Sequence, residues 1–235
     1  MEISVEKFTY LILMVTTIFF PFALSFEKRV AFYRKWPTLA VATAIPAFLF
    51  IVWDAWFTGR GVWSFNDSYV LGIRFFGLPL EEWLFFLVIP YCSLFTYEVL
   101  KAYFPEVNFN RQLIPLLAAA GVGFLVIAIV YFQQSYTFWN FTFNAIILGF
   151  LLLNGWFRQH LTHFVLTFAI SLLPMLVVNG VLTAMPVVEY SPLHIIGIRV
   201  YTIPVEDFFY FLLLLMMNLL IYEWLLHRGH RKFAG

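Results

Sequence analysis

Apolar stretches of about 20 residues recur along the whole chain and alternate with short polar segments. A helix needs about 20 such residues to cross a hydrocarbon core of about 30 Å. The pattern predicts an all-α, polytopic integral membrane protein with seven transmembrane helices. We expect these helices over Phe8–Ser25, Thr38–Phe57, Leu78–Leu100, Leu113–Phe132, Phe138–Phe157, Phe164–Thr183 and Ile203–Leu226.

Composition agrees with a membrane as the main solvent. Apolar residues make up 63% of the chain and charged residues 11%, whereas soluble domains carry about 25% charge. A net charge of +1 with both signs scattered excludes the basic surface of a nucleic-acid-binding protein. Cys92 is the only cysteine, and the five histidines mostly flank the spans, so neither a disulfide nor a metal site is expected.

The basic residues predict an orientation. Cytoplasmic loops of membrane proteins are enriched in Lys and Arg, and most of the 14 basic residues fall on one side of the seven-span arrangement. We therefore expect a multi-pass protein of the cell membrane with the N-terminus outside and the C-terminus in the cytoplasm. The residues on the predicted cytoplasmic side are Lys28, Arg29, Arg34, Lys35, Lys101, Arg111, Arg158, Arg228, Arg231 and Lys232.

The chain also contains an internal repeat. Residues 72–98 and 197–223 align without a gap at an offset of 125, with ten identities in 27 positions. Chance would give about two or three, so duplication is indicated. We predict two parallel three-helix repeats, residues 1–112 and 133–235, joined by one extra transmembrane helix, residues 113–132. The odd crossing gives both repeats the same orientation.

Each repeat places two adjacent acids at the head of its last helix. The motifs are Pro79-Leu80-Glu81-Glu82 and Pro204-Val205-Glu206-Asp207. Proline and acids in a first turn are typical of ordinary helix starts, which is the alternative explanation. However, ionisable groups at membrane depth are costly unless they face a protein-lined cavity, and here the arrangement occurs twice.

Several further residues are candidates for the same cavity. Phe85 and Tyr210 lie one helical turn beyond Glu81 and Glu206 and are expected to line an apolar pocket with them. Arg74 and Arg199 precede the motifs and are expected to pair with the acids. Asp54 and Asn179 end the second and sixth spans on the same side. By contrast, Glu98 and Glu223 lie about 25 Å further along their helices and are interpreted as boundary residues.

With these motifs and their duplication, the chain resembles the cofactor-independent, membrane type of the lycopene cyclase family, in its fused two-repeat form. The resemblance implies that Glu81, Glu82, Glu206 and Asp207 are essential and that the substrate is the lipophilic polyene lycopene, taken up from membrane lipid. It also implies lycopene β-cyclase activity, the acid-catalysed cyclisation of the ψ-ends to β-ionone rings. The products would be γ- or β-carotene, without net redox change. No cofactor is expected, because no dinucleotide-binding glycine motif follows a strand.

Acid catalysis needs a neutral carboxylic acid as proton donor, a carboxylate as acceptor and aromatic faces beside the cation. Our hypothesis assigns Glu81 and Glu206 as donors and Glu82 and Asp207 as partners or bases. A small-solute transporter with parallel three-one-three repeats is the main alternative, and a non-catalytic carotenoid carrier is another. The sequence leaves open whether one or both polyene ends react, whether there are one or two sites, and whether the protein forms homo-oligomers or associates with other carotenoid enzymes.

Overall fold

The computed structural model describes residues 5–233, with side chains up to Arg228. Within that range seven long helices are apolar enough to cross a membrane, which confirms the predicted all-α, multi-pass fold. The side chains of Arg231 and Lys232 lie outside the described residues. The helices are α1 (Thr9–Leu24), α2 (Trp36–Gly59), α3 (Leu80–Tyr103), α4 (Asn110–Val130), α5 (Ser135–Leu153), α6 (Leu161–Ala184) and α7 (Val205–Phe233).

A β-hairpin with two residues in each strand precedes the last helix of each repeat. In the first hairpin Phe76 and Gly77 both have positive φ, 53° and 84°, as the tight turn of a short hairpin requires. Pro79 therefore ends a strand and caps α3 instead of lying in its first turn, so the helix begins one residue later than a proline start would give. The strands are β2 (Arg74–Phe75) with β3 (Leu78–Pro79) and β5 (Arg199–Val200) with β6 (Ile203–Pro204).

The two repeats meet through a pair of antiparallel strands, β1 (Trp63–Phe65) and β4 (Val188–Tyr190). At the centre of this pair Ser64 lies opposite Glu189, and these residues are equivalent at the repeat offset of 125. Trp63 and Tyr190 also pair, as do Phe65 and Val188. Exchange of the two repeats leaves this register unchanged, which requires that they be related by a two-fold rotation. A pseudo-two-fold axis therefore passes through the strand pair.

Helix packing follows the same relation. α2 packs on α7 and α3 packs on α6, so the last helix of each repeat packs on the second helix of the other repeat. Within the repeats α1 packs on α3 and α5 packs on α7. The extra helix α4 lies to one side against α5, where Phe124 contacts Phe141 and Phe209. The last helices therefore form the centre of the bundle.

A second cluster, which we call the repeat clasp, joins the far ends of α3 and α7. Its members are Tyr97, Glu98, Tyr222 and Glu223, all buried. Tyr97 donates a hydrogen bond to Glu223 Oε1 at 2.7 Å, and Tyr222 donates to Glu98 Oε1 at 3.0 Å, so each repeat bonds the other. The two acids are not simple boundary residues, as the sequence suggested, because reciprocal pairing lets them be buried.

Lysines complete the clasp. Lys101 lies 2.7 Å from Glu223 Oε1 and Lys35 pairs with Glu98. Both lysine side chains are about one-third exposed, so their ion pairs alone contribute little. The buried tyrosine–carboxylate bonds are the stronger part, because a hydrogen bond to a charged group contributes about 1.5–3 kcal/mol.

We expect Tyr97→Phe and Tyr222→Phe each to lower the free energy of unfolding by about 1.5–3 kcal/mol. In detergent this corresponds to a thermal midpoint lower by about 3–12 °C. Tyr131→Phe is the matched control, since its hydroxyl has no hydrogen-bond partner among the described residues. Unchanged midpoints in both clasp variants would contradict a stabilising role for the clasp.

Candidate active site

A cavity of about 250 Å³ lies inside the bundle between α1, α3, α6 and α7. Its wall includes a helical stripe of α3, formed by Glu82, Phe85, Ile89, Cys92 and Thr96. These positions recur at intervals of three and four residues, the spacing of one helix face. The stripe leads from the acidic head of α3 toward the far side of the membrane. The cavity is therefore long, with its acids at one end.

Glu82 is the acid that the first repeat contributes to the cavity. It is buried and is the third residue of α3. Tyr10 of α1 donates a hydrogen bond to Glu82 Oε2 at 2.6 Å. The Tyr10 side chain is itself buried and also lines the cavity. One phenol thus orients a carboxyl group that lines the cavity.

Asp207 is the corresponding acid of the second repeat, and it receives two hydrogen bonds. Tyr136 of α5 donates to Asp207 Oδ1 and Tyr190 of β4 donates to Asp207 Oδ2, both at 2.9 Å. Desolvation, followed by the charge and hydrogen bond of Asp207, raises the pKa of the Tyr190 hydroxyl well above its ordinary value. Tyr190 therefore stays protonated and remains a donor. Two phenols stabilise the ionised form of a carboxylate better than one does.

The surroundings of the two acids differ because the repeats differ at two further positions. At the offset of 125, Tyr190 corresponds to Phe65, which also lines the cavity but has no hydroxyl to donate. Asp54 corresponds to Asn179, and both line the cavity as the sequence suggested. Asp54 is buried, so the cavity holds three carboxyl groups in all among the described lining residues.

Glu81 and Glu206 are buried but do not line the cavity. Glu81 Oε1 accepts the backbone N–H of Leu71 at 2.7 Å, and Glu206 Oε1 accepts that of Ile196 at the same distance. The Thr137 hydroxyl also donates to Glu206 Oε1, at 2.6 Å. Each of these acids thus holds the loop before its hairpin onto the head of the helix.

The hydrogen bonds and ion pairs of Arg74 and Arg199 go to partners other than the buried acids, although the charge of Arg199 also acts on Asp207. Arg74 donates to the carbonyl oxygens of Gly77 and Phe65 and forms an ion pair with Asp67. Arg199 donates to the carbonyl oxygen of Thr202. Both arginines lie on exposed strands, where their own hairpin turn is nearer than the buried acids. They brace the hairpins instead.

Phe85 and Tyr210 do line the cavity, although beside Glu82 and Asp207 rather than beside Glu81 and Glu206. Residues three apart and residues four apart are both neighbours on a helix surface. The sequence alone therefore could not decide which acid of each motif lies beside the aromatic ring. Tyr210 belongs to an aromatic group at the acidic end of the cavity. Its ring centroid lies 6.1 Å from that of Tyr136, which lies 5.0 Å from Trp63 and 6.0 Å from Tyr190.

Sequence reasoning missed the phenols Tyr10, Tyr136 and Tyr190 and the indole of Trp63. A signal for two of them was present. Tyr10 and Tyr136 lie 126 residues apart, one residue from the repeat offset, and each is the first tyrosine of the first helix of its repeat. Extending the alignment upstream with a one-residue gap would have paired them. Tyr190 has no tyrosine counterpart, so the repeat could not identify it.

Comparison with known proteins gives one match. A protein-family model described as lycopene cyclase matches residues 7–100 and again residues 133–225. The double match confirms the internal repeat and leaves the region of α4 between the copies. No curated protein and no solved structure matches the chain. Because the two matched regions together cover well over half of the sequence, the chain belongs to the lycopene cyclase family.

Proposed function

We propose that this protein is a lycopene β-cyclase, in which Glu82 and Asp207 act on the ψ-end of the polyene. The observation that carries this proposal is the meeting of carboxyl groups from both repeats in a single, largely apolar cavity inside a membrane-spanning bundle. A C40 hydrocarbon has no polar handle and dissolves in the bilayer. Family membership favours this activity over a small-solute transporter or a non-catalytic carrier.

The reaction needs no net change in protons or electrons. Protonation of the terminal double bond produces a tertiary carbocation, and the neighbouring double bond attacks it to form the ring C–C bond. Removal of a ring proton then restores an alkene and gives a β-ionone end. One acid and one base within the same cavity are sufficient, and such proton transfers contribute about 10²–10⁴-fold each.

We assign Glu82 as the proton donor and Asp207 as the acceptor. Glu82 accepts one hydrogen bond, from Tyr10, whereas Asp207 accepts two, from Tyr136 and Tyr190. Two donors favour the ionised carboxylate that a base requires, while a single donor in apolar surroundings favours a neutral acid. Glu81 and Glu206 are then positioning residues, because they hold the loops above the acids. This changes our first assignment, in which Glu81 and Glu206 were the donors, whereas Asp207 keeps the role of a base.

The aromatic group at the acidic end supports the cationic intermediate. Trp63, Tyr136, Tyr190 and Tyr210 surround the place where a ring would form between Glu82 and Asp207. An aromatic face beside a desolvated cation contributes about 0.5–2 kcal/mol. The rings also keep water from the cation, which would otherwise be captured as an alcohol.

We further propose that the protein lies in the cell membrane with the N-terminus outside, so that both acidic motifs face the outer side. The support is the basic loops, since Lys28, Arg29, Arg34 and Lys35 cluster between α1 and α2. The domain limits of 1–112, 113–132 and 133–235 belong to the same proposal. Lycopene and membrane lipid are the only partners it requires.

The first test is Glu82→Gln and Asp207→Asn in lycopene-producing cells. Each should reduce cyclisation by about 10²–10⁴-fold, because the donor or the acceptor of the proton is lost. Glu81→Gln and Glu206→Gln should retain measurable activity, since a side-chain amide oxygen still accepts the loop N–H. Pigments are measured by chromatography, with Glu106→Gln, an exposed loop acid, as the control. The opposite ranking of the two pairs would restore our first assignment.

Tyr190→Phe tests the second hydrogen bond of Asp207. Loss of a hydrogen bond to a charged group costs about 1.5–3 kcal/mol, so the rate of lycopene consumption in isolated membranes should fall by about tenfold to a hundredfold. Tyr201→Phe, at the exposed tip of the second hairpin, should leave the rate unchanged. A wild-type rate for Tyr190→Phe would show that this phenol does not support the base.

The orientation is testable with single cysteines in a Cys92→Ser background. A membrane-impermeant maleimide should label Ser68→Cys, in the exposed loop before β2, in intact cells. It should label Glu106→Cys, in the loop between α3 and α4, only after the cells are permeabilised. The reverse pattern would place the N-terminus in the cytoplasm.

A further inference from the structure

The cavity breaks the symmetry of the two repeats. It lies between α1 and α6, whereas the equivalent space between α5 and α2 is filled by side chains. Residues at corresponding positions of the two repeats account for the difference. At the offset of 125, Phe50 and Trp53 of α2 correspond to Met175 and Val178 of α6. Met175 and Val178 line the cavity, so the smaller side chains are on the open side.

The first helices of the repeats differ in the same sense. Tyr10 and Tyr136 are equivalent by their bonds to the two acids and fix an offset of 126 for these helices. Thr17 of α1 then corresponds to Phe143 of α5. Thr17 lines the cavity, and Phe143 packs against Trp53 with ring centroids 5.4 Å apart. Three corresponding positions thus have smaller, non-aromatic side chains on one side and aromatic rings on the other.

These rings form a closed plug, which we define as Phe50, Trp53 and Phe143. The ring centroid of Tyr210 lies 5.2 Å from that of Trp53 and 4.9 Å from that of Phe50. Phe50 and Trp53 are both buried. Tyr210 is therefore a wall between the cavity and the plug. A polyene cannot reach the acids from the side of α2 and α5 without displacing packed rings.

On the open side the cavity reaches the surface of the bundle. Pro174 of α6 lines the cavity and is exposed at the surface of the bundle. The α3 stripe from Glu82 to Thr96 spans 14 residues, about 21 Å of helix. A slot of this length suits an extended chain that enters from the lipid. Its volume of about 250 Å³ lies below the usual range for a whole drug-sized ligand, so only part of a C40 polyene is enclosed.

We propose that the passage between α1 and α6 is the only route by which the polyene reaches Glu82 and Asp207, and that it admits one end at a time. This inference rests on the proposed cyclase function. Because the plug closes the equivalent route, the second end cannot enter from the opposite side while the first is bound. A bicyclic product therefore requires the monocyclic product to leave and return with its other end first.

The experiment introduces aromatic side chains of the plug at the corresponding positions of the passage between α1 and α6. Thr17→Phe and Val178→Trp introduce the residues of the filled side, and each should lower lycopene consumption in membranes at least tenfold. The matched controls are Thr16→Phe and Val177→Trp, the same substitutions at the preceding, exposed positions, which should stay within twofold of wild type. Membrane level and thermal midpoint are measured for all four variants. Should Val178→Trp accumulate poorly, Met175→Phe, which copies Phe50, takes its place.

The outcomes separate the two proposals. Conversion by wild type together with undiminished conversion by Thr17→Phe and Val178→Trp would overturn the passage and leave the cyclase activity standing. No conversion by wild type would overturn the cyclase proposal and this inference with it.

A time course gives an independent readout of one end at a time. With lycopene in large excess over the wild-type enzyme, monocyclic product should accumulate to many times the enzyme concentration before bicyclic product appears. Added monocyclic carotenoid should compete with lycopene. Bicyclic product from the first turnover, with no free monocyclic product, would overturn the release and re-entry step.

Discussion

Burial of carboxyl groups at membrane depth is the constraint on which this structure depends. A charge without partners in that setting is too costly to persist, and the protein buries acids at both ends of its central helices. At each end tyrosine hydroxyls donate to the carboxyl groups, from the first helices at the cavity and from the partner repeat at the clasp. The helices α1 and α5 are held to the bundle in part by these bonds, so the site and the fold share the same interactions.

The pseudo-two-fold relation explains why one cavity contains acids from both repeats, and departures from it explain why the acids differ. Tyr190 in place of Phe65 adds a donor to one carboxyl group only. Smaller side chains on α1 and α6 open one side of the bundle, while rings close the other. Duplication therefore supplied two corresponding acids, and substitution on one side gave them different hydrogen-bond partners.

Hydropathy and the repeat predicted the seven helices, because each span is long and uniformly apolar. They also predicted the acidic heads of α3 and α7 and the approach of Asp54 and Asn179. The inward face of those helix heads was not predictable, since Glu81 and Glu82 differ by a rotation of about 100° that the first-turn pattern does not determine. Tyr190 was missed because a strand pairing across the repeats brings it to Asp207. The hydrogen-bond partners of Arg74 and Arg199 were not predicted, because hairpins with only two residues in each strand leave no periodic signal.

The extra helix α4 takes no part in the contacts that join the repeats. The β1–β4 pair, the repeat clasp and the packing of α2 on α7 all lie outside it, and its main neighbour is α5. Its role is to connect the repeats. One extra span between two three-helix repeats gives both repeats the same orientation in the membrane. A break in the chain beside α4 would remove no residue from the joint between the halves. Two separately encoded halves would thus retain these contacts between the repeats, and together they would supply every residue that lines the cavity.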